Sequence, residues 1–570
     1  MRPIVVTQVR NKLFWRQPLR IRGDNVPTVD ILLPCCEEGI EIIGDTIKAC
    51  VVSEYPSNRF RIFVLDDGNS PQVVRLVDEI KRWSFKFSTV EVIYAARRSK
   101  SPKGKAGNLN FGLGLAAKSI PGPAEFFAVL DIDMIPEPAW LRALVPHLIQ
   151  DKTLGMVNSP QRFYNVPSGS SVFTHVDAYM DVVATIQDSF NSAYCTGSGF
   201  LTRRAALDSI GGFPTESHQD DILTSLYLRA NKWKIAFIQE DQQYGQSPET
   251  LRSFTNQQVR WLAGGLDMVM ALHSPRLAAL PPDQRRMGSA LILTNMFSQI
   301  TVAGSVLAIP LVLFLSTYQA DHSVVSHGSP NQLRNLLGLA CLARSTCFLF
   351  DYCISRSTGF RTGCLPFSDL WLQPYRIQGI LVSLLRRLGV PHRWVPAGAS
   401  LREVDPQGKP LGTRLKMVLW DSNAVIHLAY LIVLSVALRK ASSRWDPRFL
   451  VHALDISIPL SEKTRSNVSA IAYPTSPAAT ILSSVLYPPF VQYVYICATQ
   501  AFVPIAYAVW PDKMSDRESL LSRDEKGVAH PTDKARNLDR RVSVAGKWNS
   551  YLLVIGWYCV AAGLSFHLPI

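Results

Sequence analysis

The chain has 570 residues, an apolar fraction of 47% and a formal net charge of +14. That length predicts two or three parts, and a mean hydropathy of +0.09 is high for a soluble enzyme and low for an all-membrane protein. No zinc-finger spacing, basic-region helix or RNA-binding signature accompanies the charge, so nucleic acid is set aside as a partner; a membrane surface or an anionic substrate explains the charge more simply.

The basic N-terminal segment, residues 1–27, carries no signal peptide pattern: Ile4 to Val6 is too short, and Arg10 to Arg22 too basic to extend it. The ten cysteines are scattered without a CxxC pair, which predicts reduced thiols. Val29 to Leu33 reads as a first strand stopped by Pro34. Glu37 and Glu38 then open a helix, with Ile40, Ile43, Ile47 and Val51 at helical spacing. A second strand, Arg61 to Leu65, ends at Asp66-Asp67-Gly68, and a helix follows over Val73 to Trp83. A third strand, Val90 to Tyr94, leads into the basic loop Arg97 to Lys105 and a helix over Asn108 to Ala117.

The fourth strand is Phe126 to Leu130, and it runs straight into Asp131-Ile132-Asp133. Residues two apart on a strand point the same way, so both aspartates can face one cleft while Ile132 turns into the core. Two carboxylates at a strand end suit a hard divalent cation that already carries phosphate oxygens. Strands alternating with helices imply a mostly parallel sheet, which collects ligands at the carboxyl ends of its strands. Three of those ends are acidic and the third is followed by lysines, a combination suited to a nucleotide diphosphate. Asp66 or Asp67 can accept hydrogen bonds from a base or ribose, Lys103 and Lys105 can reach phosphates, and Asp133 can hold the metal. Taken alone, the lysine-rich loop is a solvated turn.

Cys195-Thr196-Gly197-Ser198-Gly199 is a small-residue loop that lets backbone approach a ligand. His218-Gln219-Asp220-Asp221 precedes a helix over Ile222 to Arg229. An aspartate there is more often an N-cap than a catalyst, and with two of them both roles are open. Ile235 to Ile238 is a further strand, and Gln257-Gln258-Val259-Arg260-Trp261 closes the polar half.

The ordered set DDG (66–68), KAGNLN (105–110), DID (131–133), CTGSG (195–199), GGFPTE (211–216), QDD (219–221) and QQVRW (257–261) resembles the processive glycosyltransferases of family 2, the cellulose, hyaluronan and chitin synthase relatives. With PCC at 34–36 and RFYN at 162–165, the chain is similar to the fungal type 2 glycosyltransferases. The resemblance implies a GT-A-type, Rossmann-like α/β domain over residues 28–280, followed by an α-helical transmembrane region over 288–570. It implies a nucleotide-sugar donor with Mg2+ or Mn2+, and a carbohydrate or lipid acceptor. Asp66, Asp67, Lys105, Asp131, Asp133, Gln257 and Arg260 resemble the donor-binding residues, with Asp133 on the metal. Asp221 resembles the catalytic base, while Trp261 and Asp220 resemble acceptor-binding positions. One departure stands out: the family's TED triplet reads Gln219-Asp220-Asp221 here, which keeps the base and alters its neighbours. The implied reaction is an inverting transfer from a nucleotide sugar, UDP-linked by preference, to a growing polysaccharide. Single-sugar transfer to a lipid or hydrophobic small molecule is the alternative, and an inactive membrane scaffold is the second.

Ser289 to Ser316 is 28 residues without a charge, long enough to span a bilayer. Further candidate spans are Leu336 to Ile354, which contains Arg344 and Asp351, then Ala424 to Leu438, Pro489 to Trp510 and Tyr551 to Leu568, about five in all. With residues 1–280 cytosolic, loops 355–420 and 511–547 lie inside and carry 10 and 9 Lys+Arg, against 1 and 6 in the outside loops 317–334 and 439–478. The sequon Asn467-Val468-Ser469 then falls outside. Trp371 to Arg387 reads as an interfacial amphipathic helix, Trp394 to Ser400 as a candidate lid, and 511–547 as a flexible charged loop. The expected setting is a multi-pass protein of the plasma membrane or an endomembrane.

Overall fold

In the computed structural model the described residues are 16–97, 104–167, 170, 172, 179–217, 219–280, 282–319, 370–390, 408–444 and 488–536. The polar half begins β1 (Val29–Cys35), α1 (Ile40–Val51), β2 (Phe60–Asp66), α2 (Pro71–Ser84), β3 (Glu91–Ala96) and α3 (Lys105–Lys118). It continues with β4 (Phe126–Val129), β5 (Met134–Pro136), α4 (Trp140–Gln150), β6 (Leu154–Asn158), β7 (Arg162–Phe163), α5 (Thr185–Ser189), β8 (Phe200–Arg203) and α6 (Arg204–Ile210). It ends with α7 (Asp220–Ala230), β9 (Lys234–Phe237), β10 (Gln243–Gly245) and α8 (Leu251–Leu272).

Seven strands form one sheet in the order β3-β2-β1-β4-β8-β6-β9. All neighbours run parallel except β8, which is antiparallel to both β4 and β6. The expected mostly parallel sheet is present, made mixed by β8 inserted between β4 and β6. Short β5, β10 and β7 make a second sheet beside it. Alternation along the strands splits the core in two. Ile31, Leu33, Ile62, Val64, Phe126 and Ala128 face the α1–α2 side. Leu32, Phe63, Leu65, Phe127 and Val129 face the α3 side.

One expectation about a boundary is corrected. Glu37 does not open a helix: its φ is +68°, a left-handed turn residue, and α1 begins at Ile40. That turn leaves Glu38 at the end of β1 rather than on a helix face.

After α8 come α9 (Pro282–Gln319), α10 (Gln373–Arg387), α11 (Leu411–Lys416), α12 (Val425–Arg444) and α13 (Pro488–Val509). Among the described residues no single helix is long and apolar enough to cross a membrane. One pair, Leu411–Asp421 with Val425–Lys440, passes that test together and is bent by 94°. Ile309, Leu434, Ala437 and Cys497 pack α9, α12 and α13 against one another. The expected spans at 336–354 and 551–568, the sequon and the 394–400 lid lie outside the described residues. A helix is present over most of 371–387 as α10, preceded by a turn of 3-10 helix at Leu370–Leu372.

The 511–547 tract departs most from expectation. Its residues 512–536 are folded: α14 (Arg517–Leu520), a hairpin of β11 (Leu521–Arg523) and β12 (Ala529–Pro531), and α15 (Asp533–Arg536). Leu520, Leu521, Val528, Ala529 and Ala535 form an apolar cluster with Ala49, Ile135, Tyr164 and Tyr244 of the polar half.

Candidate active site

The site is built at the carboxyl ends of β1, β2 and β4, where acidic residues meet the N-termini of α3 and α7. β4 ends at Val129, and Leu130 is still buried in the core. The backbone N–H of Asp131 donates to the Ser198 hydroxyl at 2.9 Å. Gly104 at φ +89° turns the chain into α3 and places Lys105 on its first residue. Lys105 Nζ donates to the Gly197 carbonyl at 2.5 Å and pairs with Asp131 at 2.5 Å. The two asparagines of KAGNLN are fasteners. Asn108 donates to the Leu65 carbonyl at 2.7 Å, and Asn110 exchanges hydrogen bonds with the Phe213 backbone at 2.7 and 2.8 Å. They hold Lys105's helix against β2 and the GGFP turn.

Asp220 and Asp221 occupy the first turn of α7, where the helix dipole favours carboxylates. Asp221 Oδ1 accepts from the Ile222 N–H at 2.8 Å. A Cβ on Gly197, whose φ is +91°, would lie 3.1 Å from Asp221 Oδ2. The small-residue loop thus lets backbone approach Asp221 as well as Lys105. Gln219, at the N-cap of α7, donates to the Trp261 carbonyl at 2.7 Å and ties this helix to α8. α8 itself starts in a capping box between Thr250 and Ser253.

Charge sets the chemistry. Burial and then Asp221 push the Asp220 carboxyl up to about 7, and burial raises its partner Asp221 as well. Burial, then Asp131 and Glu38, push Asp133 up to about 8. Burial also lifts Glu38 to about 7, with Asp131 and Asp66 adding to it. Burial works against the charge of Lys105, yet Asp131 and Asp220 hold its pKa above the ordinary lysine range. Arg260, on α8, is lowered by burial and held up in part by Asp131, Asp220 and Asp221. Lys105 and Arg260 therefore share one set of carboxylates. Lys105, Asp220 and Asp221 also line a cavity with Leu109, Phe200 and Phe213.

Not every expected residue enters this group. Both oxygens of Asp66 are engaged: Oδ1 accepts from the Gly68 N–H at 2.7 Å, and Oδ2 from the Ser70 N–H at 2.7 Å and Tyr94 at 3.0 Å. Asp67 is held by Arg97 through bonds of 2.6 and 2.8 Å. These two aspartates shape the turn after β2. Gln257 is half-buried on α8, and the Trp261 side chain is exposed at 43%. Lys103 lies outside the described residues. Two residues to which pattern reading gave no role matter here. Glu38 has the same signal as the aspartates, an acid at a strand end. Gln219 has none, because its role depends on the fit against α8.

The donor set suits a hard divalent cation. Asp133 is half-buried near Asp131 and Glu38, and a cation there would relieve their repulsion. Among the described residues no three His, Cys, Asp or Glu side chains form a metal cage. Asp131 and Asp133 are the residues that would hold a Mg2+- or Mn2+-type ion, which would supply charge neutralisation to a diphosphate.

Comparison with known proteins bears on the polar half of the chain. Residues 27–264 match the family described as glycosyltransferase like family 2. The catalytic subunit of UDP-forming cellulose synthase 1 from Komagataeibacter xylinus is 27% identical over 308 residues, 53% of this chain and 38% of the relative. The UDP-forming cellulose synthase catalytic subunit of Xanthomonas axonopodis pv. citri is 26% identical over 279 residues, 47% of this chain and 36% of the relative. The chain thus spans well under half the length of these relatives. A mannosyltransferase from Pyrobaculum calidifontis, solved with GDP-Man and Mn2+, aligns over 68% of this chain and 95% of its own at 17% identity, with a TM-score of 0.45. Residues 27–264 thus match the glycosyltransferase like family 2 model and are similar in sequence to the catalytic subunits of cellulose synthases.

Proposed function

We propose that the chain is a membrane-bound inverting glycosyltransferase that moves a sugar from a nucleotide-sugar donor, UDP-linked by preference, to a growing polysaccharide. The observation that carries this reading is the convergence of Lys105 and Arg260 on Asp131, Asp220 and Asp221 at the strand ends. Cations on one side of an anomeric carbon and a carboxylate on the other are what in-line displacement of a nucleoside diphosphate requires.

Asp221 takes the proton of the acceptor hydroxyl as that oxygen attacks the anomeric carbon. Lys105 and Arg260 bear the charge that develops on the departing diphosphate. Asp131 and Asp133 face the sugar-nucleotide, and a divalent cation held there would neutralise diphosphate oxygens as the bond breaks. Gln257 supports the diphosphate from α8. Asp66 and Asp67 fix the turn that borders the nucleotide, and Arg97 locks Asp67 in place. Asp220 and the exposed face of Trp261 receive the acceptor sugar.

Residues 28–280 act in the cytosol, and the region from 288 onward carries the chain through the bilayer in about five spans. Apolar side chains exposed on the helices support lipid contact: Leu293, Phe297 and Leu307 on α9, Ile432, Val433 and Val436 on α12, and Phe502 on α13. Incubating the purified full chain with labelled UDP-glucose, UDP-GlcNAc and GDP-mannose, then sizing the product, tests the reading. A product of increasing length is expected from one donor. A product of fixed low mass would replace polymerisation by single-sugar transfer to a lipid or hydrophobic acceptor.

A further inference from the structure

After α13 the chain turns back to the catalytic domain, and residues 512–536 dock against α1, β5 and β10. The docking is electrostatic as well as apolar. Asp45 of α1, 3% exposed, is gripped by two arginines, Arg517 at 2.7 Å and Arg523 at 2.7 Å. Arg536 pairs with Glu137 at 2.5 Å, and its guanidinium lies 4.9 Å from the centre of the Tyr244 ring. Trp83 donates to the Lys526 carbonyl at 3.1 Å.

The two arginines on Asp45 differ in what else they meet. Both pair with Glu518, and Arg523 adds the Gly527 carbonyl. Arg517 faces the hydroxyl of Tyr164, a residue 1% exposed. The charge of Asp133 acts on that same hydroxyl. Tyr164 is also tied to the donor site through backbone: its N–H donates to the Gly245 carbonyl at 3.0 Å, and Gly245 pairs with Met134, the residue after Asp133. Side-chain contacts therefore run from Asp45 through Arg517 to Tyr164, and backbone pairing carries on from Tyr164 through Gly245 to Met134, the neighbour of Asp133.

We propose that residues 512–536 are a clasp for the donor site, and that Arg517 is a positioning residue that sets Asp133 through Tyr164. This rests on the reading of the cleft as a nucleotide-sugar site. Arg517 touches no substrate. It fixes the strand and the hydroxyl beside the aspartate that would hold the metal, as residues behind a ligand commonly do. Because the clasp follows α13 directly, it also couples the catalytic sheet to the helices next to it.

The test is calorimetric titration of UDP into the purified full chain, with and without Mn2+, alongside thermal unfolding. Arg517→Ala and Tyr164→Phe are expected to weaken Mn2+-dependent UDP binding about tenfold, the usual effect of losing a group behind a metal ligand. Arg523→Ala shares Asp45 but not Tyr164, so it should lower the unfolding temperature and leave Mn2+-dependent binding within about twofold. Should Arg517→Ala and Tyr164→Phe bind UDP with unchanged Mn2+ dependence while the wild type binds normally, the clasp role is overturned and the nucleotide-sugar reading stands. The clasp role is equally overturned if Arg523→Ala weakens Mn2+-dependent binding as much as Arg517→Ala. A wild-type chain that binds no UDP, with Mn2+ present, overturns both.

Discussion

Asp221 sits under two opposing influences. Burial makes its charge costly, while the Ile222 N–H and nearby Lys105 favour the ionised form. A carboxylate balanced in this way is held near the pH at which it can take a proton from a sugar hydroxyl. Removing its basicity while keeping its shape isolates the role. Asp221→Asn should reduce kcat by about 10²- to 10⁴-fold, the range for general-base loss, and leave donor binding intact, as checked by UDP titration. The pH profile follows with the same sign. Asp220 is pushed up to about 7 and Asp221 is raised beside it, so the pair still holds protons below neutrality. Activity should therefore rise with pH along a limb displaced above the ordinary aspartate range, and an acid limb placed near 4 would contradict the assignment.

At the scale of elements, the site depends on how α7 meets α8. A Cβ at Gly264 would lie 2.6 Å from Gln219 Cγ, so this glycine leaves room for the side chain that binds Trp261's carbonyl. Gly264→Ala should displace Gln219 and with it the start of α7. The expected cost is about 1–3 kcal/mol of stability, as for other overpacked contacts, together with a fall in transfer rate; an unaltered rate would mean that α7 tolerates the shift. The β1–β2 pair rests on a buried ion pair. Asp30, fully buried, binds Arg61 at 2.8 and 3.0 Å and also accepts from the Ala124 N–H at 2.9 Å. Asp30→Ala would strand that guanidinium and should cost about 3–5 kcal/mol in chemical unfolding.

Legibility in the sequence follows the same division. The strands β1, β2 and β4 are legible because buried strands are continuous apolar runs, and the acids at their ends stand out against them. Lys105, Asp131, Asp221 and Arg260 are legible through motif spacing, and the structure brings them together. β8 is not legible as an inserted antiparallel strand, since Phe200–Arg203 is only four residues long. The bond that Tyr94 of a neighbouring strand adds to Asp66 is a contact local pattern does not encode. The clasp is hidden for another reason. Its few apolar residues lack period, and its burial comes from contacts such as Asp45–Arg523, 478 residues apart in the chain.

For the whole molecule, stability and topology are linked through the catalytic domain. His147 on α4 is buried, and burial, followed by Arg16, lowers its pKa from 6.5 to about 4. The unfolded chain therefore binds a proton at this position that the folded chain refuses between those values. Its contribution to stability is present above pH 6.5 and is lost as the pH falls towards 4. Thermal unfolding from pH 7 to pH 4 should show this decline, and His147→Gln should make it shallower. The chain's own arrangement places helices α9 to α13 between two segments that share one core, the catalytic sheet and the clasp.

The most direct test is sugar transfer from labelled UDP-sugars by the purified full chain with Mn2+, measured side by side with Asp221→Asn. The wild type is expected to transfer sugar from at least one donor, and the variant to lose transfer almost completely while it retains UDP binding. Equal transfer by both proteins would remove Asp221 as the base, and no transfer and no donor binding by the wild type would overturn the glycosyltransferase reading itself.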